Sequence, residues 1–357
     1  MVDAMRIIRD DGSIEPRLDP KLSPDEVLRM YRWMMLQRIL DTRMLALQRQ
    51  GRIGFYGPSL GQEAAIVGAA MAMGPDDWIV PQYREPGAAL VRGMPLKELI
   101  CQLIGNAEDP IHGRQMPCHY AYRKGNYVSI SSPVGTQLPH AVGIGWAMKL
   151  RGAKAAVLVF FGDGGTSTGD FHVAMNFAGV FRTPTVFLLN NNQWAISLPV
   201  AKQTAATTLA DKAIAYGFDG VRVDGMDALA VYRATRDAAT TAHQGGGPTL
   251  VEAVTYRLGP HSSSDDPSRY RDETEVAIWR ARDPIARFRR YLEHARLWDE
   301  TREAALEQEI GDEITRAVQE AERAPPPSVD TLFSDVFAVT SAQLAAQRDS
   351  LTILPRR

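Results

Sequence analysis

The run Val157-Leu158-Val159-Phe160-Phe161 leads directly into Gly162-Asp163-Gly164-Gly165, and Val186-Phe187-Leu188-Leu189 leads in the same way into Asn190-Asn191-Asn192. From Gly165 to Asn190 inclusive there are 26 residues. The apolar runs do not alternate with polar residues, as strands of a parallel sheet covered on both faces do not. An amphipathic stretch from Phe171 to Val180 lies between them. The order is therefore strand, glycine-rich turn, helix, strand, polar turn. Both turns fall at the carboxyl ends of strands, where parallel α/β sheets bind ligands.

The same rhythm extends outward from this unit. Strands are expected at Trp78–Val80, Ala155–Phe161, Thr185–Leu189 and Thr249–Tyr256, with helices through Ile104 and at His140–Leu150 and Ala228–His243. Upstream, Ser23-Pro24-Asp25-Glu26 combines a capping serine, a first-turn proline and an acid three residues after the cap. A long helix is expected from there to Gly51, followed by another over Gln62–Met73. Two stretches resist regular structure, roughly 106–132 and 257–275, and long irregular loops in compact domains are often functional. From Asp283 the chain reads as charged amphipathic helices interrupted by Pro325-Pro326-Pro327, expected to pack on the outside or on a partner. The expected organisation is an arm over 1–22, an α/β domain over 23–282 and a helical extension over 283–357.

Composition narrows the class. A chain of 357 residues, 45% hydrophobic and 23% charged, is long enough for a sizeable core. A formal net charge of -2 supplies no basic field for nucleic acid. The first twenty residues lack the apolar core of a signal peptide, and no apolar run reaches membrane-spanning length. Cys101 and Cys118, without close metal-ligand spacing, suggest reduced thiols. A cytoplasmic protein is the expectation.

Glycines in the first turn let backbone amides approach a diphosphate closely. A diphosphate held without basic side chains needs a cation, and Asp163 with Asn192 offers hard oxygen ligands for magnesium; a carbonyl near Trp194 would add a third. Either turn alone would be better read as a simple reversal, but the pair inside one βαβ frame favours a cofactor. Gly162-Asp163-Gly164-Gly165-Thr166-Ser167 lacks the third glycine of a dinucleotide site, which disfavours a nicotinamide oxidoreductase, and no Walker-type lysine is present.

This pairing resembles the thiamin-diphosphate signature, and further blocks resemble the alpha subunits of 2-oxo acid dehydrogenases. They are Gln48-Arg49-Gln50-Gly51-Arg52-Ile53-Gly54-Phe55-Tyr56, Gln82-Tyr83-Arg84-Glu85, Gly113-Arg114-Gln115-Met116-Pro117-Cys118-His119-Tyr120, Ser131-Ser132-Pro133-Val134-Gly135-Thr136-Gln137 and Pro260-His261-Ser262-Ser263-Ser264-Asp265-Asp266. The resemblance covers roughly 23–298 and implies a thiamin-diphosphate-binding α/β fold with helices on both faces of a parallel sheet. It implies magnesium on Asp163, Asn192 and the carbonyl of Trp194. Gly162, Gly164, Gly165, Tyr83 and Arg84 would surround the diphosphate, and Ser132 with the backbone of Val134 would contact the aminopyrimidine. Ser131, Pro133, Thr136 and Gln137 resemble a potassium site, and Phe55 with Tyr83 would shape the substrate pocket. His261 would contact the cofactor near the thiazolium and the reacting centre, as a proton relay or a stabiliser of developing charge, making His261, Ser132 and Tyr83 the catalytic candidates. His119 and His140 are open between supporting and structural roles. Ser262, Ser263 and Ser264 align with a loop phosphorylated in mitochondrial relatives; here an unmodified loop is expected.

The implied activity is thiamin-diphosphate-dependent oxidative decarboxylation of a 2-oxo acid with acylation of a lipoyl group. The glutamate that serves the aminopyrimidine normally comes from a second α/β domain, for which this chain has no room. A beta subunit in an α2β2 heterotetramer and a lipoyl-bearing acyltransferase are therefore the implied partners. Gly113–Pro117 and the compact 260–266 loop look closer to branched-chain enzymes, whereas Gly162–Ser167 and Asp265–Tyr270 also resemble bacterial pyruvate dehydrogenase alpha subunits. Branched-chain substrates are favoured, with pyruvate or acetoin as alternatives. A noncatalytic scaffold is disfavoured by intact Asp163, Asn192 and His261.

Overall fold

In a computed structural model, which describes residues 4–335 and 337–351, the Ser23 hydroxyl accepts from Glu26 N while the Glu26 carboxylate accepts from Ser23 N at 2.7 Å. This capping box starts α1 (Pro24–Arg49). There follow α2 (Glu63–Met71), β1 (Trp78–Val80), α3 (Pro86–Val91), α4 (Leu96–Ile104), α5 (Gln137–Leu150), β2 (Val157–Gly162), α6 (Gly169–Phe181) and β3 (Thr185–Asn191). A small hairpin of β4 (Trp194–Ala195) and β5 (Leu198–Pro199) comes next, then β6 (Asp219–Asp224), α7 (Ala228–His243), β7 (Thr249–Val254), α8 (Glu273–Arg280), α9 (Pro284–His294) and α10 (Glu300–Arg323).

The five long strands form one parallel sheet in the order β1-β2-β3-β7-β6. Alternation along each strand sends side chains to opposite faces. Leu158, Phe160, Val186 and Leu188 join one core with α1, α2 and α7, while Val159, Phe161, Phe187 and Leu189 join a second with α5 and α6. This is the expected parallel sheet with helices on both faces. On the first face α2 crosses α7 so closely that a Cβ on Gly68 would lie 2.7 Å from the Ala228 carbonyl.

Three features depart from the sequence reading. Edge strand β6 was not anticipated, because Asp219-Gly220-Val221-Arg222-Val223-Asp224 is polar and half exposed, too mixed to read as a buried run. The N-terminal arm is part of the fold: Met5 pairs with Val223 beyond β6, and Ile7 and Ile8 are fully buried. The helices after Asp283 are not an outer layer either. Ile285, Phe288, Ile310, Ile314, Val318 and Ala321 belong to the first core, because the apolar stripe of α10 lies against α1 and α4. α10 ends at Arg323, ahead of the three prolines.

Asp227 ties the arm to the sheet. One carboxylate oxygen caps α7 by accepting from Leu229 N and Ala230 N, and the other accepts from Ile7 N and Ile8 N, both at 2.6 Å. Burial pushes this carboxyl up to about 6, against those amide hydrogen bonds. Asp227→Ala would strand four buried donors and is expected to cost about 3 kcal/mol. A chemical-denaturation midpoint close to that of the parent chain would disprove this account of the arm.

Candidate active site

The register of the sheet builds the site. Gly162 is paired with Asn190, so the ends of β2 and β3 stop side by side and the segments that follow them share one edge. Beyond that edge lies a cleft of ≈ 410 Å³. Tyr83 and Arg84 reach it from the turn before α3, Ser132 and Val134 from the loop before α5, and Gly162, Asp163, Gly164 and Gly165 from the end of β2. Asn192 and Trp194 enter from beyond β3, and His261 from the loop after β7. Residues far apart in sequence thus meet where an open parallel sheet presents its carboxyl ends.

The glycine-rich segment is a short 3₁₀ turn over Asp163–Ser167, and none of its glycines has positive φ. Close approach is what needs a glycine there: a Cβ on Gly164 would stand 2.8 Å from that of Ala195. The asparagines differ from expectation too. Asn190 and Asn191 finish β3, and the chain reverses only after Asn192, through Gln193 and Ile196 at φ 73° and 54°.

Asp163 is buried, and burial pushes its carboxyl above the usual range despite the hydrogen bond from Gln203 Nε2 at 2.6 Å and the nearby Arg257 charge. Asn192 is oriented by Gln62, whose Oε1 accepts from both Asn190 and Asn192 at 3.0 Å, while Asn192 Oδ1 accepts from Trp194 N at 3.2 Å. Two buried polar atoms without a hydrogen-bond partner, Gln62 Nε2 and Gln203 Oε1, belong to the two amides that hold these side chains. Among the described residues no group of three His, Cys, Asp or Glu side chains is assembled for a metal. The donor set of one carboxylate, one amide oxygen and one carbonyl is hard, and fits a magnesium ion whose other ligands are phosphate oxygens.

Across the cleft, His261 Nδ1 receives Arg84 Nη2 at 2.8 Å and Arg257 Nη1 at 3.3 Å. Burial first, then these two positive charges, push the imidazole down to about 3. Both arginines are fixed at further points: Arg84 donates to Pro58 O at 2.7 Å, and Arg257 to Ile196 O at 2.6 Å and Tyr270 Oη at 2.8 Å. Asp265 accepts from His261 N and from Tyr270 Oη, both at 2.6 Å. The Tyr83 ring stands edge-on to His261 and under the Arg84 guanidinium. Buried Glu85 shapes that turn, one carboxylate oxygen accepting from Gln82 N, Tyr83 N and Arg84 N. Ser262 is buried, Ser263 Oγ accepts from Tyr56 N at 3.2 Å, and Ser264 is exposed.

Ser132 and Val134 lie on an exposed lip of the cleft. Ser132 Oγ makes a short hydrogen bond to His119 Nε2, so His119 stands directly behind the cleft wall, whereas His140 is exposed on α5. Thr136 Oγ1 bonds Ser131 Oγ at 2.9 Å and Pro133 O at 3.0 Å, gathering oxygens of three of the four residues assigned to potassium, and the Gln137 side chain is held by donation of its Nε2 to Phe160 O at 3.1 Å. Phe55 does not line the cleft: its segment is pinned by Tyr56, whose hydroxyl donates inward to buried Asp41, and Phe55 packs on the first core. The sequence reading did not single out Gln62, Gln203, Arg257, Thr168 or Ile196, because nothing local marks a side chain whose partner is tens of residues away.

The family model described as dehydrogenase E1 component matches residues 31–330. The chain belongs to that family. The resemblance to 2-oxo acid dehydrogenase alpha subunits is borne out at this level, and thiamin diphosphate is the cofactor that membership implies. This E1 chain is 46% identical over 356 residues to the 3-methyl-2-oxobutanoate dehydrogenase subunit alpha of Mycobacterium tuberculosis, covering 98% of this chain and 94% of the relative. It is 42% identical over 358 residues to the mitochondrial 2-oxoisovalerate dehydrogenase subunit alpha 1 of Arabidopsis thaliana, covering 100% of this chain and 76% of the relative. The human mitochondrial 2-oxoisovalerate dehydrogenase subunit alpha is 42% identical over 344 residues, covering 96% of the E1 chain and 77% of its relative.

Proposed function

We propose that this chain is the alpha subunit of a branched-chain 2-oxo acid dehydrogenase, acting on 3-methyl-2-oxobutanoate and passing the acyl group to a lipoyl group on an acyltransferase component. The observation that carries the reading is the convergence of Asp163, Asn192 and His261 on one cleft at the sheet edge, in a chain whose relatives bear that name. Residues 23–282 would form the diphosphate-binding unit and 283–357 its helical extension.

Asp163, Asn192 and the Trp194 carbonyl would hold magnesium, and Ser131, Pro133, Thr136 and Gln137 would brace the Ser132 loop around potassium. Gly164 and Gly165 keep the diphosphate end open to backbone amides. Bound there, thiamin diphosphate supplies the electron sink that lets carbon dioxide leave a 2-oxo acid. The chain's own work is to bind, orient and exclude water: Tyr83 and His261 wall the reacting end, and Arg84 adds positive charge beside the diphosphate.

The cleft is open on the Ser132–Val134 side, where the lip and the neighbouring α6 surface expose Val134, Val173, Phe177 and Val180. Exposed apolar side chains grouped beside the cleft suit a protein interface, and a beta subunit closing the aminopyrimidine end is the partner this reading requires. Among the described residues no helix is long and apolar enough to cross a membrane, and both thiols are free and buried, in keeping with a cytoplasmic enzyme.

The test is steady-state turnover of 3-methyl-2-oxobutanoate against pyruvate and acetoin by the chain co-expressed with its beta subunit, thiamin diphosphate and magnesium. The expected result is a higher kcat/KM for the branched acid, only in the pair. Preference for pyruvate would move the chain to the pyruvate enzyme, and absence of cofactor-dependent turnover would refute the catalytic reading.

A further inference from the structure

We infer that His261 serves the reaction as a neutral hydrogen-bond donor through Nε2, and that Arg84 and Arg257 are positioning residues whose task is to fix that tautomer. What Nε2 meets rests on the functional reading above; the tautomer itself does not. Guanidinium groups carry donors and no acceptor, so an atom that receives Arg84 Nη2 at 2.8 Å and Arg257 Nη1 at 3.3 Å must present a lone pair. Nδ1 is therefore bare, and a neutral imidazole then carries its one hydrogen on Nε2.

Each arginine is also held elsewhere, Arg84 by Pro58 O and Arg257 by Ile196 O and Tyr270 Oη. A second proton on the ring would sit between two fixed cations. Asp265, whose charge favours a second proton, is turned to His261 N and Tyr270 Oη instead of the ring, while the carboxylates of Glu85 and Asp163 lie within reach of the Arg84 and Arg257 charges respectively. Tyr83 faces the ring with an aromatic edge and adds no charge. Burial acts in the same direction.

A ring so constrained cannot take a proton from substrate at Nδ1, and Nε2 already carries one. The ligand it suits is an oxygen bearing or developing negative charge, such as the carboxylate or the polarised carbonyl of a 2-oxo acid. His119 provides the contrast at the same cleft. Its Nδ1 faces Pro117 O at 3.1 Å and must donate; in a neutral ring its Nε2 then accepts from the Ser132 hydroxyl, leaving Ser132 lone pairs for the cleft. The two imidazoles are set with opposite polarity.

Hydrogen–deuterium exchange at the imidazole C2–H of His261, read by mass spectrometry on the assembled enzyme, tests the tautomer lock without turnover. The exchange rate of His261 is expected to be flat over roughly pH 5 to 8, where a histidine in a free peptide shows a sigmoidal rise. Arg257→Leu should restore that rise at His261. In turnover, His261→Gln, which can place an amide N–H near the Nε2 position, is expected to stay within about tenfold of the parent, while His261→Ala loses about a hundredfold or more. A sigmoidal His261 profile in the parent enzyme, or a glutamine variant no better than alanine, overturns the inference. If no acid is turned over at all, the functional reading fails and the exchange profile alone decides this one.

Discussion

Asp163→Ala is expected to lower turnover about a thousandfold at fixed magnesium and to remove the stabilisation that thiamin diphosphate and magnesium together confer. Among the described residues Asp163 is the sole carboxylate lining the cleft, and no acidic or histidine cluster stands by to replace it as a cation ligand. A protein carboxylate beside the phosphate oxygens is the usual anchor of a magnesium ion, and Asp163 supplies the charge for it here. Stability of the ligand-free protein should move little, or rise, because the carboxyl is held above its usual range by burial and so opposes folding when ionised. Gln203 would keep the Leu198 carbonyl as a partner at 3.0 Å. Turnover of the assembled enzyme, with thermal melts in the presence and absence of magnesium and cofactor, measures both halves. A variant that still gains stability from the cofactor would show that Asp163 does not hold the cation.

The largest effect on folding is expected from Phe160→Ala, at about 3–5 kcal/mol. Phe160 is fully buried at the centre of β2, paired in register with Leu188, on the face covered by α1 and α2. Its removal leaves a void in an interior that collapses poorly, since the neighbouring strand β3 is laddered to β2 on one side and to β7 on the other. Against a total of about 5–15 kcal/mol, that loss leaves little margin. β2 also delivers Gly162 and Asp163 to the cleft, so cofactor affinity should fall alongside stability. Urea unfolding of the variant beside Phe177→Ala, whose ring is half exposed on α6, provides the comparison. A change below about 1 kcal/mol at Phe160 would mean that the sheet is not the rigid frame described here.

What could be read along the chain was whatever has a local cause. Unbroken apolar runs specified buried parallel strands, a serine, proline and glutamate specified the start of α1, and paired polar turns after two such runs specified where a ligand would bind. Asp163, Asn192, His261 and Ser132 were legible because their motifs are short and contiguous. Strand β6 was not, since an edge strand needs only one paired side and tolerates a polar sequence. The buried arm and the packing of α9 and α10 were equally hidden, because an amphipathic pattern shows that a helix buries a face without naming what it meets.

Tertiary structure alone decided the rest. It set the sheet order that brings Gly162 beside Asn190, packed Phe55 against the first core, and placed Arg84 and Arg257 on one atom of His261. Sequence determines which groups a segment offers; protonation state, tautomer and ligand geometry depend on distances between segments, and those exist only once the chain has folded.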